Sequence, residues 1–174
     1  NKVIADLDGI TTPEVEEKVA VVNLEKTASP STIFAGNTVT YTVVTKNTSQ
    51  VAVDSLKLVD KPDLTNFTYK PGSAKVNGAP IADPAIAGGK LTFIAGTNVA
   101  PNAVMTLTYE MSSKVNISPG SYVNKVHGEM TVGSKNSSTG EKEATVKVVA
   151  DVVTKEANRD YIVTGDEVIY RVTF

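Results

Sequence analysis

Residues 38–44 read Thr38-Val39-Thr40-Tyr41-Thr42-Val43-Val44. Apolar side chains occupy every second position, and threonines occupy the positions between them. This period of two is typical of a β-strand that buries one of its faces. Similar runs, rich in β-branched residues and separated by Gly, Pro, Asn and Asp, recur along the chain. They lie at residues 56–59, 90–94, 104–109, 122–126 and 144–148.

This series of short strands with regular turn signals predicts an all-β, immunoglobulin-like β-sandwich. Asn77-Gly78 is the dipeptide expected of a tight hairpin turn. The polar segment 133–140 is expected to form a long hairpin loop. A helix is an option only at residues 12–17, where Pro13 and early acidic residues fit a helix N-terminus.

Composition excludes several classes of protein. The chain has 174 residues, a formal net charge of −2 and no cysteine. Without cysteine it has neither disulfides nor thiolate chemistry. No basic run predicts a nucleic-acid partner, and no apolar stretch approaches the roughly 18 residues of a membrane span. The sole histidine, His127, has no partner pattern that suggests a catalytic triad, so the chain is not expected to be an enzyme.

Two segments of the chain repeat the same spacing, in which Lys is followed ten residues later by Gly and then by Val and Tyr. Lys155 follows Lys26 by 129 residues (155 minus 26), and the tripeptide Asn124-Lys125-Val126 also opens the chain at Asn1. Such self-similarity indicates a tandem array. We therefore expect the closing strand and connector of one repeat (1–20), a complete repeat (21–149) and the opening strands of the next (150–174).

The predicted complete repeat resembles the immunoglobulin-like cell-surface repeat of prokaryotes known as domain of unknown function 11. The matching segments span nearly all of residues 21–132. They are 26–27, 36–43, 46–48, 58–60, 67–69, 72–78 and 122–126. The chain departs from the family pattern after Asp60, where it reads Lys61-Pro62. The resemblance implies a stalk or wall filament and identifies no ligand.

The chain is also similar to pilin and adhesin sandwiches that join a Lys on the first strand to an Asn on the last through an isopeptide bond, assisted by a buried acid. That similarity implies Lys26 and Asn124 as the joined pair and Asp60 as the acid, with Glu110 as the alternative acid. Burial favours the neutral amine and the neutral acid that this chemistry requires. Lys155 and Asn1 would be the equivalents in the next and previous repeats.

Less specific interpretations compete with this hypothesis. Lys26 and Asp60 could form a surface ion pair worth ~0–1 kcal/mol, with Asn124 as a sheet-edge amide. Asp6 and Asp8 form part of a calcium-loop pattern that lacks its closing Glu, so a solvated acidic connector is favoured and no cofactor is expected. Asn-x-Ser/Thr acceptors for glycosylation occur at Asn47, Asn66, Asn116 and Asn136.

The sequence as a whole predicts a structural module of a tandem-repeat extracellular protein, serving as a stalk, spacer or filament segment on a prokaryotic cell surface. Its partners would be neighbouring repeats or other copies of the chain. One alternative is an adhesive module that binds a ligand through exposed aromatics, for which Phe67 and Tyr69 are the candidates. Another is a filament subunit that donates its N-terminal strand to a neighbour.

Overall fold

The computed structural model describes residues 2–3, 6–7, 10–11, 15–16, 20–150 and 154–173. Every regular element in these ranges is a β-strand. In chain order the strands are β1 (Lys2–Val3), β2 (Asp6–Leu7), β3 (Ile10–Thr11), β4 (Val15–Glu16), β5 (Val22–Ser29), β6 (Thr32–Phe34), β7 (Thr38–Asn47), β8 (Val53–Lys61), β9 (Phe67–Tyr69), β10 (Lys75–Val76), β11 (Ala79–Pro80), β12 (Ala85–Ala87), β13 (Lys90–Val99), β14 (Val104–Ser113), β15 (Gly120–Val132), β16 (Lys135–Ser138), β17 (Lys142–Val149), β18 (Thr154–Ala157) and β19 (Tyr170–Thr173).

Strands β5 to β17 form two sheets. The first sheet has the order β11-β10-β14-β7-β5, and β9 also pairs with β14. The second has the order β12-β13-β8-β15-β17-β6, and β16 also pairs with β15. All pairings in these sheets are antiparallel except that of β6 with β17, which is parallel. The predicted all-β, immunoglobulin-like sandwich is confirmed.

The core lies between the inward faces of the two sheets, and the period-two pattern determines which side chains enter it. In β7 the positions of Val39, Tyr41 and Val43 are buried, whereas the threonines between them are partly exposed. The partner strand β14 alternates in the same way, with Leu107, Tyr109 and Met111 inside. Burial of these apolar faces supplies the main driving force for folding.

The local turn predictions had mixed outcomes. The Asn77-Gly78 hairpin is confirmed, because β10 pairs with β11 across this dipeptide and both residues have positive φ, 51° and 82°. The long loop at 133–140 is wrong. Gly133 has a φ of 57°, and residues 135–138 return as β16 along β15. Sequence reasoning missed this strand because all four of its side chains are exposed and carry no apolar alternation.

The terminal segments pair as short ladders of their own. In the C-terminal ladder, β18 and β19 place Lys155 opposite Val172, just as β5 and β7 place Lys26 opposite Val43. Both members of the pair are shifted by 129 residues (155 minus 26 and 172 minus 43). The C-terminal hairpin therefore repeats the register in which the sandwich begins.

The N-terminal ladders pair β1 with β4 and β2 with β3. Lys2 stands opposite Glu16, as Lys125 stands opposite Glu143 in the sandwich. The optional helix at 12–17 is not formed at Val15–Glu16, which belong to β4, and the rest of that segment lies outside the described residues. Within the described ranges, no helix is present that could cross a membrane.

Candidate crosslinking site between the two sheets

Strand alternation turns Lys26 into the core. In β5 the buried positions are Val22, Leu24 and Lys26, and the residues between them are exposed. The lysine is therefore in phase with two apolar side chains and must bury its amine. Its side chain is 0% exposed. Burial lowers the pKa of the Lys26 amine below its ordinary 10.5, although Asp60 acts in the opposite direction.

Asp60 and Asn124 reach the same place from the second sheet. Asp60 follows Leu58 on the inward face of β8 and is fully buried. Asn124 precedes Val126 on the inward face of β15 and is 2% exposed. Val126 stands opposite Asp60 in the ladder, so Asn124 is the diagonal neighbour of Asp60.

Hydrogen bonds join the three predicted residues into one buried cluster. Lys26 Nζ donates to Asp60 Oδ1 and also to the Tyr109 hydroxyl, at 3.0 Å. The Tyr109 hydroxyl donates to Asp60 Oδ2 at 2.6 Å and accepts from Asn124 Nδ2 at 3.1 Å. The surface ion pair and the sheet-edge amide considered from the sequence are therefore both wrong, because these side chains lie between the two sheets.

Aromatic rings enclose the amine. Lys26 Nζ lies 4.9 Å from the centroid of the Tyr41 ring, within the range of a cation–π contact. Tyr41 stacks on Tyr109 with centroids 5.5 Å apart, and Phe93 packs against Tyr109 at 4.8 Å. Burial raises the pKa of Tyr41 to about 12 and that of Tyr109 well above 10, so both phenols are neutral.

Glu110, the alternative acid, does not reach the cluster. It follows Tyr109 in β14, so its side chain points to the opposite face of the strand. There it accepts a hydrogen bond from Lys70 Nζ at 2.7 Å on the partly exposed surface. Asp60 is therefore the acid in contact with Lys26.

Two further expectations about the site need correction. Asn124 is not on the last strand of the sandwich, because it lies on β15 and the strands β16 and β17 follow. The assisting acid, Asp60, also does not contact the Asn124 carbonyl directly. Within the described part of the chain, Asn124 Oδ1 has no hydrogen-bond partner, and Asp60 is connected to Asn124 Nδ2 through Tyr109.

Sequence reasoning missed Tyr109 as a member of the site. The tyrosine stands in the apolar alternation of residues 104–109, where it has the pattern of an ordinary core aromatic. The available signal was its hydroxyl, because a phenol on a fully buried face needs a polar partner. In this structure, that partner is the cluster of Asp60, Lys26 and Asn124.

The other candidate sites are not brought together as ligands. Among the residues that the structure describes, no group of three His, Cys, Asp or Glu side chains could hold a metal ion. Asp6 belongs to β2, whereas Asp8 and Asn1 lie outside the described residues. Lys155 lies in β18, and only its backbone pairing is described.

Of the four glycosylation acceptors, Asn47 is closed to modification in the folded chain. It is 1% exposed, and its amide nitrogen donates to the carbonyl oxygens of Val51, Val99 and Ala100. Through these hydrogen bonds the asparagine holds two loops of the sandwich against each other. Asn116 and Asn136 are exposed.

The aromatic residues proposed for adhesion are core residues. Phe67 and Tyr69 are 3% and 6% exposed. Phe67 packs on Tyr122, and Tyr69 packs on Phe93. They do not form an exposed aromatic patch.

Comparison with known proteins places the sandwich among pilin-like folds. No protein-family model and no curated protein matches the chain. The solved structure of BcpA*(D312A), the major pilin subunit of Bacillus cereus, matches with a TM-score of 0.56 and 15% identity over 99% of this chain and 60% of that one. The full-length major pilin SpaD of Corynebacterium diphtheriae matches with a TM-score of 0.55 and 16% identity over 85% of this chain and 40% of that one.

A protein of another class shares the fold. AvmM, which catalyses macrocyclization in alchivemycin A biosynthesis, matches with a TM-score of 0.53 and 15% identity over 85% of this chain and 96% of that one. At these identities the likeness establishes the architecture and not the activity. The function must therefore be argued from the buried cluster.

Proposed function

We propose that this chain is a structural module of a tandem-repeat extracellular protein, a stalk, spacer or filament segment on a prokaryotic cell surface. We further propose that an isopeptide bond between Lys26 and Asn124 joins its two sheets. The observation that carries the proposal is the buried cluster in which Lys26, Asp60 and Asn124 meet, connected through one hydroxyl. A module without disulfides gains a covalent brace in this way.

The reaction is an amide exchange that needs no oxidant and no cofactor. The neutral Lys26 amine attacks Cγ of Asn124, a C–N bond forms, and the original amide nitrogen leaves as ammonia. Burial favours the neutral amine because it lowers the pKa of Lys26. Asp60, bonded to the amine, is the group that takes its proton.

The position of the bond suits a module under tension. Lys26 lies on β5 at the edge of the first sheet, and Asn124 lies on β15 inside the second. A bond between them would hold the sheets together through the core, where a pulling force would otherwise separate them. Strands β16 and β17 lie beyond the bond in the chain.

Repetition supports the tandem context. The β18–β19 ladder repeats the register of β5–β7 at a shift of 129 residues, and Lys155 takes the position of Lys26. Such repetition, together with the resemblance to domain of unknown function 11 and the fold shared with BcpA and SpaD, supports assembly with neighbouring repeats or other copies.

The test is the intact mass of the purified chain. We expect it to fall short of the sequence mass by one ammonia. Lys26→Met should restore the full mass, whereas Lys46→Met, which changes an exposed lysine, should leave the deficit in place. A wild-type chain of full mass after complete folding would contradict the crosslink.

A further inference from the structure

The Tyr109 hydroxyl is the point where the groups of the cluster meet. It lies 2.6 Å from Asp60 Oδ2, 3.0 Å from Lys26 Nζ and 3.1 Å from Asn124 Nδ2. The residue is fully buried. A single hydroxyl thus touches the acid, the attacking nitrogen and the departing nitrogen of the proposed reaction.

The hydrogen-bonding capacity of a phenol fixes how these groups are oriented. A hydroxyl has one proton to donate and lone pairs with which to accept. In the structure the Tyr109 hydroxyl donates its one hydrogen bond to Asp60, so it accepts hydrogen bonds from Lys26 and Asn124. Asn124 therefore turns its NH₂ group toward Tyr109. Within the described residues, its Oδ1 has no partner.

We propose that Tyr109 is a catalytic residue of the crosslinking reaction, relaying a proton from Asp60 to the departing nitrogen of Asn124. This inference rests on the proposed function. Asp60 receives a proton from the lysine at one oxygen and gives one to Tyr109 at the other. The tyrosine completes a path that the acid alone does not span, because Asp60 reaches Asn124 only through the hydroxyl.

Every proton that moves in the proposed step has a donor and an acceptor within the cluster. The Lys26 amine adds to Cγ of Asn124, and the carbonyl electrons move to Oδ1. In the reactive form the acid is neutral and its hydrogen bond to Tyr109 is reversed relative to the structure: Asp60 carries its proton on Oδ2 and donates it to the Tyr109 hydroxyl. The new ammonium nitrogen loses a proton to Asp60 Oδ1, while the proton on Oδ2 passes to the Tyr109 hydroxyl. Tyr109 passes its own proton to Nδ2, which accepts it once it has become a tetrahedral amine. The C–Nδ2 bond then breaks, the carbonyl re-forms, ammonia leaves, and Asp60 and Tyr109 are neutral as before.

The surroundings of Tyr109 suit this role. Its ring is held between Tyr41 and Phe93, so the hydroxyl is fixed in place and only its proton needs to rotate. Burial raises the pKa of the phenol well above 10, which keeps it protonated between successive transfers. A group positioned in this way contributes through general acid–base catalysis.

The experiment compares Tyr109→Phe with Tyr69→Phe. Tyr69 belongs to the same aromatic core, but its hydroxyl donates to Asp83 instead of the cluster, so it is a matched control. Each full chain is made by cell-free synthesis, and the loss of ammonia is followed by intact mass at timed intervals. Folding is monitored in parallel by circular dichroism.

We expect Tyr109→Phe to lose ammonia about 100-fold more slowly than wild type, the low end of general acid–base effects, and Tyr69→Phe to match wild type. A folded Tyr109→Phe chain that reacts at the wild-type rate would overturn the inference and leave the proposed function intact. A wild-type chain that never loses ammonia would overturn both.

A second measurement covers the outcome in which Tyr109→Phe fails to fold. Fluorinated tyrosines of graded acidity are incorporated at position 109, which retains the ring and the hydroxyl. A relay makes the rate of ammonia loss vary with phenol acidity. A rate that does not change across the series would overturn the relay, because a hydroxyl with a purely structural role leaves the rate unchanged.

Discussion

The Lys26–Asp60 pair and the Lys70–Glu110 pair each join a lysine to an acid that is distant in the sequence, yet they occupy different environments. The first lies between the sheets, with side chains 0% and 1% exposed, and the second lies on the surface at 56% and 35%. Water screens and solvates the surface pair, whereas the buried pair has only protein groups around it. Burial, and not the presence of an ion pair, is what makes Lys26 a candidate nucleophile.

The largest expected effect concerns the crosslink itself. Asp60→Asn removes the proton acceptor beside Lys26, so we expect the ammonia deficit to disappear from the intact mass. Glu110→Gln changes the surface acid in the same way and should leave the deficit complete. Loss of the deficit in Glu110→Gln with retention in Asp60→Asn would reverse the assignment of the acid.

The second prediction concerns stability without the bond. In an Asn124→Ala background, Lys26→Met removes the lysine partner of the buried Asp60 side chain and should lower the free energy of unfolding by ~3–5 kcal/mol. Lys70→Met should lower it by only ~0–1 kcal/mol, because that pair is exposed. Urea unfolding curves measure both.

Replacing both members of the buried pair provides the control. Lys26→Met combined with Asp60→Leu, in the same background, removes both members of the pair and should recover most of the lost stability. Added salt should weaken the Lys70–Glu110 coupling and leave the Lys26–Asp60 coupling largely unchanged. Equal losses from Lys26→Met and Lys70→Met would remove the distinction drawn between the two pairs.

The smallest expected effect concerns Asp83, an exposed acid held by hydrogen bonds. The Tyr69 hydroxyl and the Gly72 N–H donate to it, and they lower its pKa below the ordinary 3.8. Because the folded pKa is the lower one, the stabilisation is complete above 3.8 and is lost as the pH falls through the folded value. Carboxyl NMR titration should show this depression, and Tyr69→Phe should reduce it. An unchanged Asp83 titration in Tyr69→Phe would exclude the hydroxyl as its main cause.

The fold was predictable because the period-two alternation of apolar and polar side chains determines where most of the strands form and which of their faces are buried. The same alternation placed Lys26 in phase with Val22 and Leu24, so its burial could be read before the structure was known. The alternation also separates Glu110 from the cluster, because its neighbours Tyr109 and Met111 both point inward and Glu110 therefore points outward.

Other features of the site and the fold could not be predicted from the alternation pattern. The cross-sheet distances among Lys26, Asp60 and Asn124 depend on how two twisted sheets pack, which no local pattern encodes. The role of Tyr109 depends on the same packing, since a tyrosine in a strand has the pattern of an ordinary core residue. Strand β16 is exposed on both faces, so its formation depends on its partner β15 and not on its own sequence.

The parallel pairing of β6 with β17 has a mechanical consequence. Tension on the N-terminal side of β6 and the C-terminal side of β17 acts in opposite directions along one axis, so their three residue pairs are loaded in shear and share the force. With the proposed bond between Lys26 and Asn124 in place, β6 lies inside a closed covalent ring and the tension passes through the bond to β15. Extension of the module is then limited to residues beyond Asn124, which gives a tether with a fixed maximum length.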